Sequence, residues 1–274
     1  SPLACAATAA SAMAAPSRPF CRAVRLGLVE YRRAQELQRS LVAQRIEQRI
    51  PDTLLLLEHP PVYTLGKRRE AAARNFLVAP DALRARGAQV EHCDRGGDVT
   101  YHAPGQLVAY PIVHLRELRP SGVRPFVEGL EDVMLRTAAH YGIKATGRRP
   151  DETGAWVGNK KLGAIGVRVD NRVTSHGLAL NVRTDLSGFA HIVACGLAGR
   201  ETTSLARELG LEGRPEAPAV EEVAGVLARH FGEYFGRDIV ETDASEIYAE
   251  CIGSGQPDEA AAADGRLSLE SASS

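Results

Sequence analysis

Two hydrophobic periods alternate along this chain, and their order restricts it to a mixed architecture. Ala34, Leu37, Leu41, Val42, Ile46 and Ile50 follow helical spacing and stop at Pro51. Asp52–Glu58 (DTLLLLE) follows as a short apolar run ended by His59-Pro60-Pro61, which reads as a buried strand. A second helical stripe over about 123–141 carries Phe126, Val127, Leu130, Val133, Met134 and Tyr141 and meets a stop at Gly142. Further strands are expected at 106–113, 154–157, 162–169 and 172–182, the last two joined by a two-residue turn at Asp170-Asn171. A short helix is expected from about Thr202 or Thr203 to Gly210, and a longer one over 220–235. Helices and strands mix without regular β–α–β alternation. The expected class is therefore α+β: a single domain with a mixed, mostly antiparallel sheet flanked by helices.

Neither an internal repeat nor a Pro/Gly/Ser-rich linker interrupts residues 20–252, which read as one domain. Ahead of it, residues 1–29 hold no acid, and the Ala- and Ser-rich start carries Arg18, Arg22 and Arg25 as its only charges. That is the composition of an organellar transit peptide, and equally of a disordered extension, so residues 1–19 are expected to be one or the other. A chain beginning at Ser1 is also expected to lack its own first residue. Residues 253–274 (GSGQPDEAAAADGRLSLESASS) offer nothing to dock and are expected to form a disordered tail.

Charge narrows the partners. With 33 basic and 34 acidic residues, the net charge of −1 provides no field to gather nucleic acid or anionic lipid, so neither is expected as a partner. No run of about 20 apolar residues could span a bilayer. Of the basic residues, only Lys67, Lys144, Lys160 and Lys161 are lysines, so a chemistry that needs a titratable amine has few candidates. Cys5, Cys21, Cys93, Cys195 and Cys251 are scattered singly. That pattern argues against a disulfide framework or a zinc cluster and fits a reducing compartment.

Three segments are too unusual for ordinary fold elements. Residues 95–106 (RGGDVTYHAPGQ) set Gly96-Gly97 beside a guanidinium and crowd Tyr101, His102 and Gln106 around a rigid turn, although many such loops are only turns. Residues 158–166 (GNKKLGAIG) begin a Gly-spaced strand with two lysines, which alternation sends to opposite faces. His176 follows and reads better as a hydrogen-bonded core residue than as a proton shuttle. In 192–205 (IVACGLAGRETTSL), Cys195 is either inert packing or a nucleophile at a strand end. A nucleophilic thiol needs a nearby base or cation, and His102, His176, His191 and the lysines are the candidates. Cys93 is the poorer nucleophile, because its neighbours Glu91 and Asp94 disfavour a thiolate. Spacing alone does not choose between a Cys–His and a Cys–Lys pair.

Together, RGGDVTYHAPGQLVAY at 95–110, KLGAIGVRV at 161–169, HGLALNV at 176–182 and IVACG at 192–196 resemble the octanoyltransferases of lipoate biosynthesis. These are lipoyl(octanoyl) transferases of the biotin/lipoate protein ligase superfamily, and the similarity covers about residues 24–240. PDTLLLLEHPPVYTLGKRR at 51–69 and ETGAWVGNKKLGAIGVR at 152–168 are similar to the plant and algal organellar branch.

The resemblance implies transfer of an octanoyl group from octanoyl-acyl carrier protein to a lysine of a lipoyl domain. The acceptors would be the lipoyl domains of 2-oxoacid dehydrogenases or the glycine cleavage H protein, in the mitochondrial matrix or the plastid stroma. It also implies that Cys195 forms an acyl-thioester intermediate and that Lys161 favours its thiolate and acts as acid and base. The substrate-binding residues it implies are Arg95, Gly96, Gly97, Asp98, Val99, Thr100, Tyr101 and His102. A second set comprises Ala164, Ile165 and Gly166, with Gly177, Leu178 and Ala179. Gly163 joins the small residues that would leave room for a C8 chain. No metal and no cofactor is implied, because exchange between thioesters is nearly balanced and the final amide is more stable. Ala103 and Ala194 depart from the family's usual Gly and Pro, but neither change removes a reacting group. The competing expectations are an ATP-dependent lipoate or biotin ligase, which would not need Cys195, and a non-catalytic module that holds a lipoyl domain.

Overall fold

In the computed structural model the described residues are 18–150, 152–194 and 199–252. The expected tail, Cys195, Gly196 and most of the expected N-terminal extension lie outside them. Strand β1 (Phe20–Leu28) leads into helix α1 (Tyr31–Ile46), which crosses back so that β2 (Asp52–Glu58) pairs with β1 in parallel. One β–α–β unit therefore opens the fold, a connection long enough for a parallel pair. Helix α1 is shorter than its apolar stripe, because Gln48 turns at φ 56 and Ile50 packs from the following loop.

After β2 come β3 (Val62–Leu65), α2 (Arg69–Arg74), α3 (Pro80–Ala85), β4 (Gln89–His92) and β5 (Val99–His102). These build a separate three-stranded sheet in the order β4-β3-β5. The main sheet resumes with β6 (Gln106–Ile112), followed by α4 (Val123–His140) and β7 (Ala155–Val157). The hairpin of β8 (Lys160–Asp170) and β9 (Val173–Asn181) comes next. Its turn residues are Asn171 and Arg172, at φ 44 and 70, one position later than expected. Left-handed conformations at both turn residues match the twist of the flanking strands. The chain ends with β10 (Glu201–Thr202), α5 (Leu205–Glu208), α6 (Val220–Phe235), β11 (Asp238–Thr242) and α7 (Ala244–Ile252).

The main sheet runs β10-β8-β9-β6-β2-β1-β11, with β7 beside β8. Its central pairs, β2–β6, β6–β9 and β8–β9, are antiparallel, while β11–β1 and β1–β2 are parallel. The expected α+β class with a mixed, mostly antiparallel sheet therefore holds. Helices α4 and α6 bury one face, with Phe126, Leu130, Phe231 and Phe235 in the core, and α1 and α7 bury the other.

Where β2 begins, a buried ionic knot ties distant segments together. Asp52 accepts from Arg45 Nε at 3.0 Å and from Arg237 Nε at 2.9 Å, and both guanidiniums reach Glu117. The backbone N–H of His114 also donates to Asp52, at 3.1 Å.

Candidate active site

The Arg95 loop is held in shape by its own side chain. Arg95 Nη2 donates to the Thr64 carbonyl at 2.7 Å and to Thr64 Oγ1 at 2.8 Å, while Nη1 donates to the Gly96 carbonyl at 3.0 Å. The Gly96 N–H donates to the Val167 carbonyl at 2.9 Å, which fastens the loop to β8. Gly97 sits at φ 91, and a Cβ on the facing Gly66 would stand 2.4 Å from the Gly97 oxygen. Only glycine lets these backbones approach so closely. Asp98 Oδ1 accepts from the Val99 N–H at 2.6 Å, and Oδ2 accepts from Asn75 at 2.8 Å.

On β5, alternation divides the expected run. Thr100 and His102 line a cleft with Arg95, Gly97 and Asp98. Val99 and Tyr101 pack the other way, against Tyr63 and Phe189. Gly96 is occupied by the β8 contact and does not line the cleft. Opposite lie Ala164, Ile165, Gly166, Gly177, Leu178 and Ala179. Sequence reasoning missed Tyr31, Val108 and Tyr110 as wall residues. No local pattern reveals them, since α1 and β6 reach the cleft through tertiary packing. Not every small residue there makes room for a ligand. A Cβ on Gly177 would lie 2.2 Å from the Ala109 oxygen, and one on Gly163 2.5 Å from Met134 Sδ, so these two serve close packing.

An adjoining cleft of about 320 Å³ shares Thr100, Ala164 and Ala179 with the first, and adds Lys161, Asn181, Thr202 and Ala194. Register places Lys161 there. At residues 160 and 161, β8 is flanked on both edges, by β7 and by β10, so Lys161 lies between Trp156 and Thr202. Lys160 takes the opposite face and pairs with Glu208, as alternation predicts. A buried relay runs behind the cleft. His102 Nδ1–H donates to Gln106 at 2.6 Å, Gln106 to Asn181 at 2.8 Å, and Asn181 to the Thr203 carbonyl at 2.9 Å. The Thr203 N–H in turn donates to the Lys161 carbonyl at 2.9 Å. Cys195 lies outside the described residues, but its chain neighbour Ala194 lines the same cleft as Lys161. Cys93 is spent elsewhere, its thiol donating to the Leu65 carbonyl at 3.2 Å.

His102 and His176 line the first cleft and His59 packs behind His102, and the fold holds all three imidazoles neutral. Burial presses His102 down to about 3, with His59 adding repulsion, and presses His59 down to about 4. His176 is also pushed to about 3, by burial and then by Arg95, Arg168 and Arg39. Its Asp94 partner at 2.9 Å is shared with Arg168 and does not outweigh them. His176 is thus buried and hydrogen-bonded, as expected, while one side of its ring also meets the cleft. In an unfolded chain these groups take up a proton near pH 6.5. Between about pH 6.5 and 4 the unfolded state binds more protons, so stability falls as pH drops through that window. Thermal unfolding followed from pH 7.5 to 4.5 is expected to show a steep loss below pH 6.5, and a flat profile would contradict the assignment.

Comparison with known proteins agrees with this architecture. Residues 30–232 match the profile of the lipoyl protein ligase A/B catalytic domain. A mitochondrial octanoyltransferase of Arabidopsis thaliana is 46% identical over 207 residues, covering 76% of this chain and 87% of that protein. An octanoyltransferase of Chloroflexus aurantiacus is 50% identical over 213 residues, covering 77% and 92%. Among solved structures, a bi-partite lipoate protein ligase of Thermoplasma acidophilum superposes with a TM-score of 0.62 at 15% identity, covering 85% of this chain and 91% of that one. The last likeness shows a shared fold, while the first three matches place the sequence itself: the chain belongs to the lipoyl protein ligase A/B catalytic-domain family, among its octanoyltransferases.

Proposed function

We propose that this enzyme moves an octanoyl group from octanoyl-acyl carrier protein to a lysine of a lipoyl domain, with Cys195 and Lys161 as its catalytic pair. The observation that carries the assignment is that Lys161 and Ala194, the residue before Cys195, line one cleft that adjoins the cleft of the Arg95 loop. The Cys195 thiolate attacks the donor's thioester carbonyl, a new thioester forms, and the carrier thiol leaves with a proton. The acceptor lysine then attacks as a neutral amine, the amide forms, and the Cys195 sulfur is released. Each half needs one proton moved at the reacting centre. His102, pressed down to about 3 by burial, is a poor proton acceptor, so the proposal gives the movement to Lys161. The apolar cleft around Ala164, Ile165, Leu178 and Ala179 suits a saturated chain. The acceptor class is a lipoyl domain, and the finer candidates are those of 2-oxoacid dehydrogenases and the glycine cleavage H protein.

Incubation with octanoyl-acyl carrier protein without ATP is expected to add one octanoyl group on Cys195, seen by intact mass, and Cys195→Ser is expected to abolish it. Pyrophosphate release with free octanoate and ATP would instead support a ligase. For location we propose an organelle, the mitochondrial matrix, on the acid-free residues 1–29 and the mitochondrial Arabidopsis relative. A reporter fused to these residues that stayed in the cytosol would overturn it.

A further inference from the structure

We propose that Trp156 is a positioning residue for the Lys161 amine, acting through the face of its indole ring; this rests on the catalytic reading of Lys161 above. Trp156 and Lys161 are a cross-strand pair of β7 and β8. Directly opposed residues of an antiparallel pair project to the same face. Lys161 Nζ stands 5.2 Å from the indole centroid, within cation–π range, and indole is the strongest such ring. The ring itself cannot drift. Trp156 is fully buried, its Nε1–H donates to the Glu152 carbonyl at 2.9 Å, and its backbone exchanges two bonds with Thr146 at 2.7 and 2.8 Å. Arg149 stands over the same ring at 4.8 Å and also pairs with Glu152.

The segment that presents the ring is bolted to the core. Glu131, a buried carboxylate of α4, accepts from the Gly154 N–H at 2.7 Å and the Arg148 N–H at 3.1 Å. Gly154 lies at φ 136, and a Cβ there would stand 3.0 Å from Lys161 Cε and 2.4 Å from the Gly163 oxygen. The lysine stem therefore runs between a glycine seat and an indole face. A lysine has four rotatable bonds, and holding its amine in one place costs rotamer freedom. Confining the stem between Gly154 and Trp156 restricts the amine to one side of the cleft before the reaction begins.

The test is a double-mutant cycle, read as the rate of octanoyl-adduct formation on Cys195. Trp156→Leu fills the core but offers no π face. It is expected to slow acylation on the order of tenfold when Lys161 is present. In a Lys161→Ala background the same change is expected to cost less than about twofold, because the group it positions is gone. Equal losses in both backgrounds, or none in either, overturn the proposal and leave the role of Lys161 untouched. If Lys161→Ala alone acylates at the parent rate, the reading of Lys161 fails instead. Should the leucine variant not fold, Trp156→Phe and Trp156→Met carry the comparison in the same backgrounds. The benzene ring is then expected to retain most of the rate and the thioether to lose it, and equal rates for the two overturn the proposal.

Discussion

Lys161→Arg is expected to slow octanoyl transfer by about two to four orders of magnitude, the range over which a positioned acid or base contributes. Guanidinium keeps the positive charge that favours a thiolate, but it cannot give up its proton at any accessible pH. A purely electrostatic lysine would tolerate the change; one that shuttles a proton would not. The neighbouring Lys160 supplies the control, since it lies on the other face of β8 and pairs with Glu208. Lys160→Arg should stay within about threefold of the parent, as expected of a part-exposed ion pair. Steady-state transfer assays on both variants, with melting curves to show that each is folded, check the contrast. Near-normal turnover in Lys161→Arg would reduce that residue to an electrostatic or structural role.

The second large effect concerns stability. Asp52→Ala is expected to cost about 3 kcal/mol, because it removes the buried carboxylate shared by two guanidiniums and leaves Arg45 only the half-exposed Glu117 carboxylate and Arg237 only the Glu117 carbonyl. For a body of this size the melting temperature should fall on the order of 10 °C. Exposure decides the magnitude. The Asp52 side chain is 3% exposed, whereas the Arg25–Glu221 pair, with the same chemistry, is 30% and 71% exposed. Removing Glu221 should cost less than about 1 kcal/mol. Urea or thermal unfolding of the two alanine variants side by side tests the difference, and similar losses would show that the knot is not stabilising.

Periodicity made the long elements legible. The apolar stripes of α1, α4 and α6 and the solid run of β2 survive in the structure because burial follows their spacing. β1 was hidden by Arg22 and Arg25 inside FCRAVRLGL, and Arg22 is buried only because Glu250 and Thr53 satisfy it. The short strands β3, β4 and β5 carry too few residues to show a period and depend on one another for pairing. At the candidate site, the sequence marked both lysines and the Arg95 loop. Alternation sent the two lysines to opposite faces and the resemblance singled out Lys161, but neither showed which face meets the cleft. That placement comes from register, which sets Lys161 in the cleft and Lys160 on Glu208, and within the loop the pleat turns Val99 and Tyr101 away.

The strand order has a practical corollary for anyone attaching cargo to this protein. Phe20 pairs with Asp238, so the N-terminal segment enters where the last strand of the sheet runs, and four strand steps separate β1 from β8. At about 4.8 Å per step, Phe20 and its partner Asp238 stand roughly 20 Å or more across the sheet from the strand that carries Lys161. A chain entering at Phe20 thus joins the sheet four strands away from Lys161. An acceptor domain tethered there would need a long leash to present its lysine.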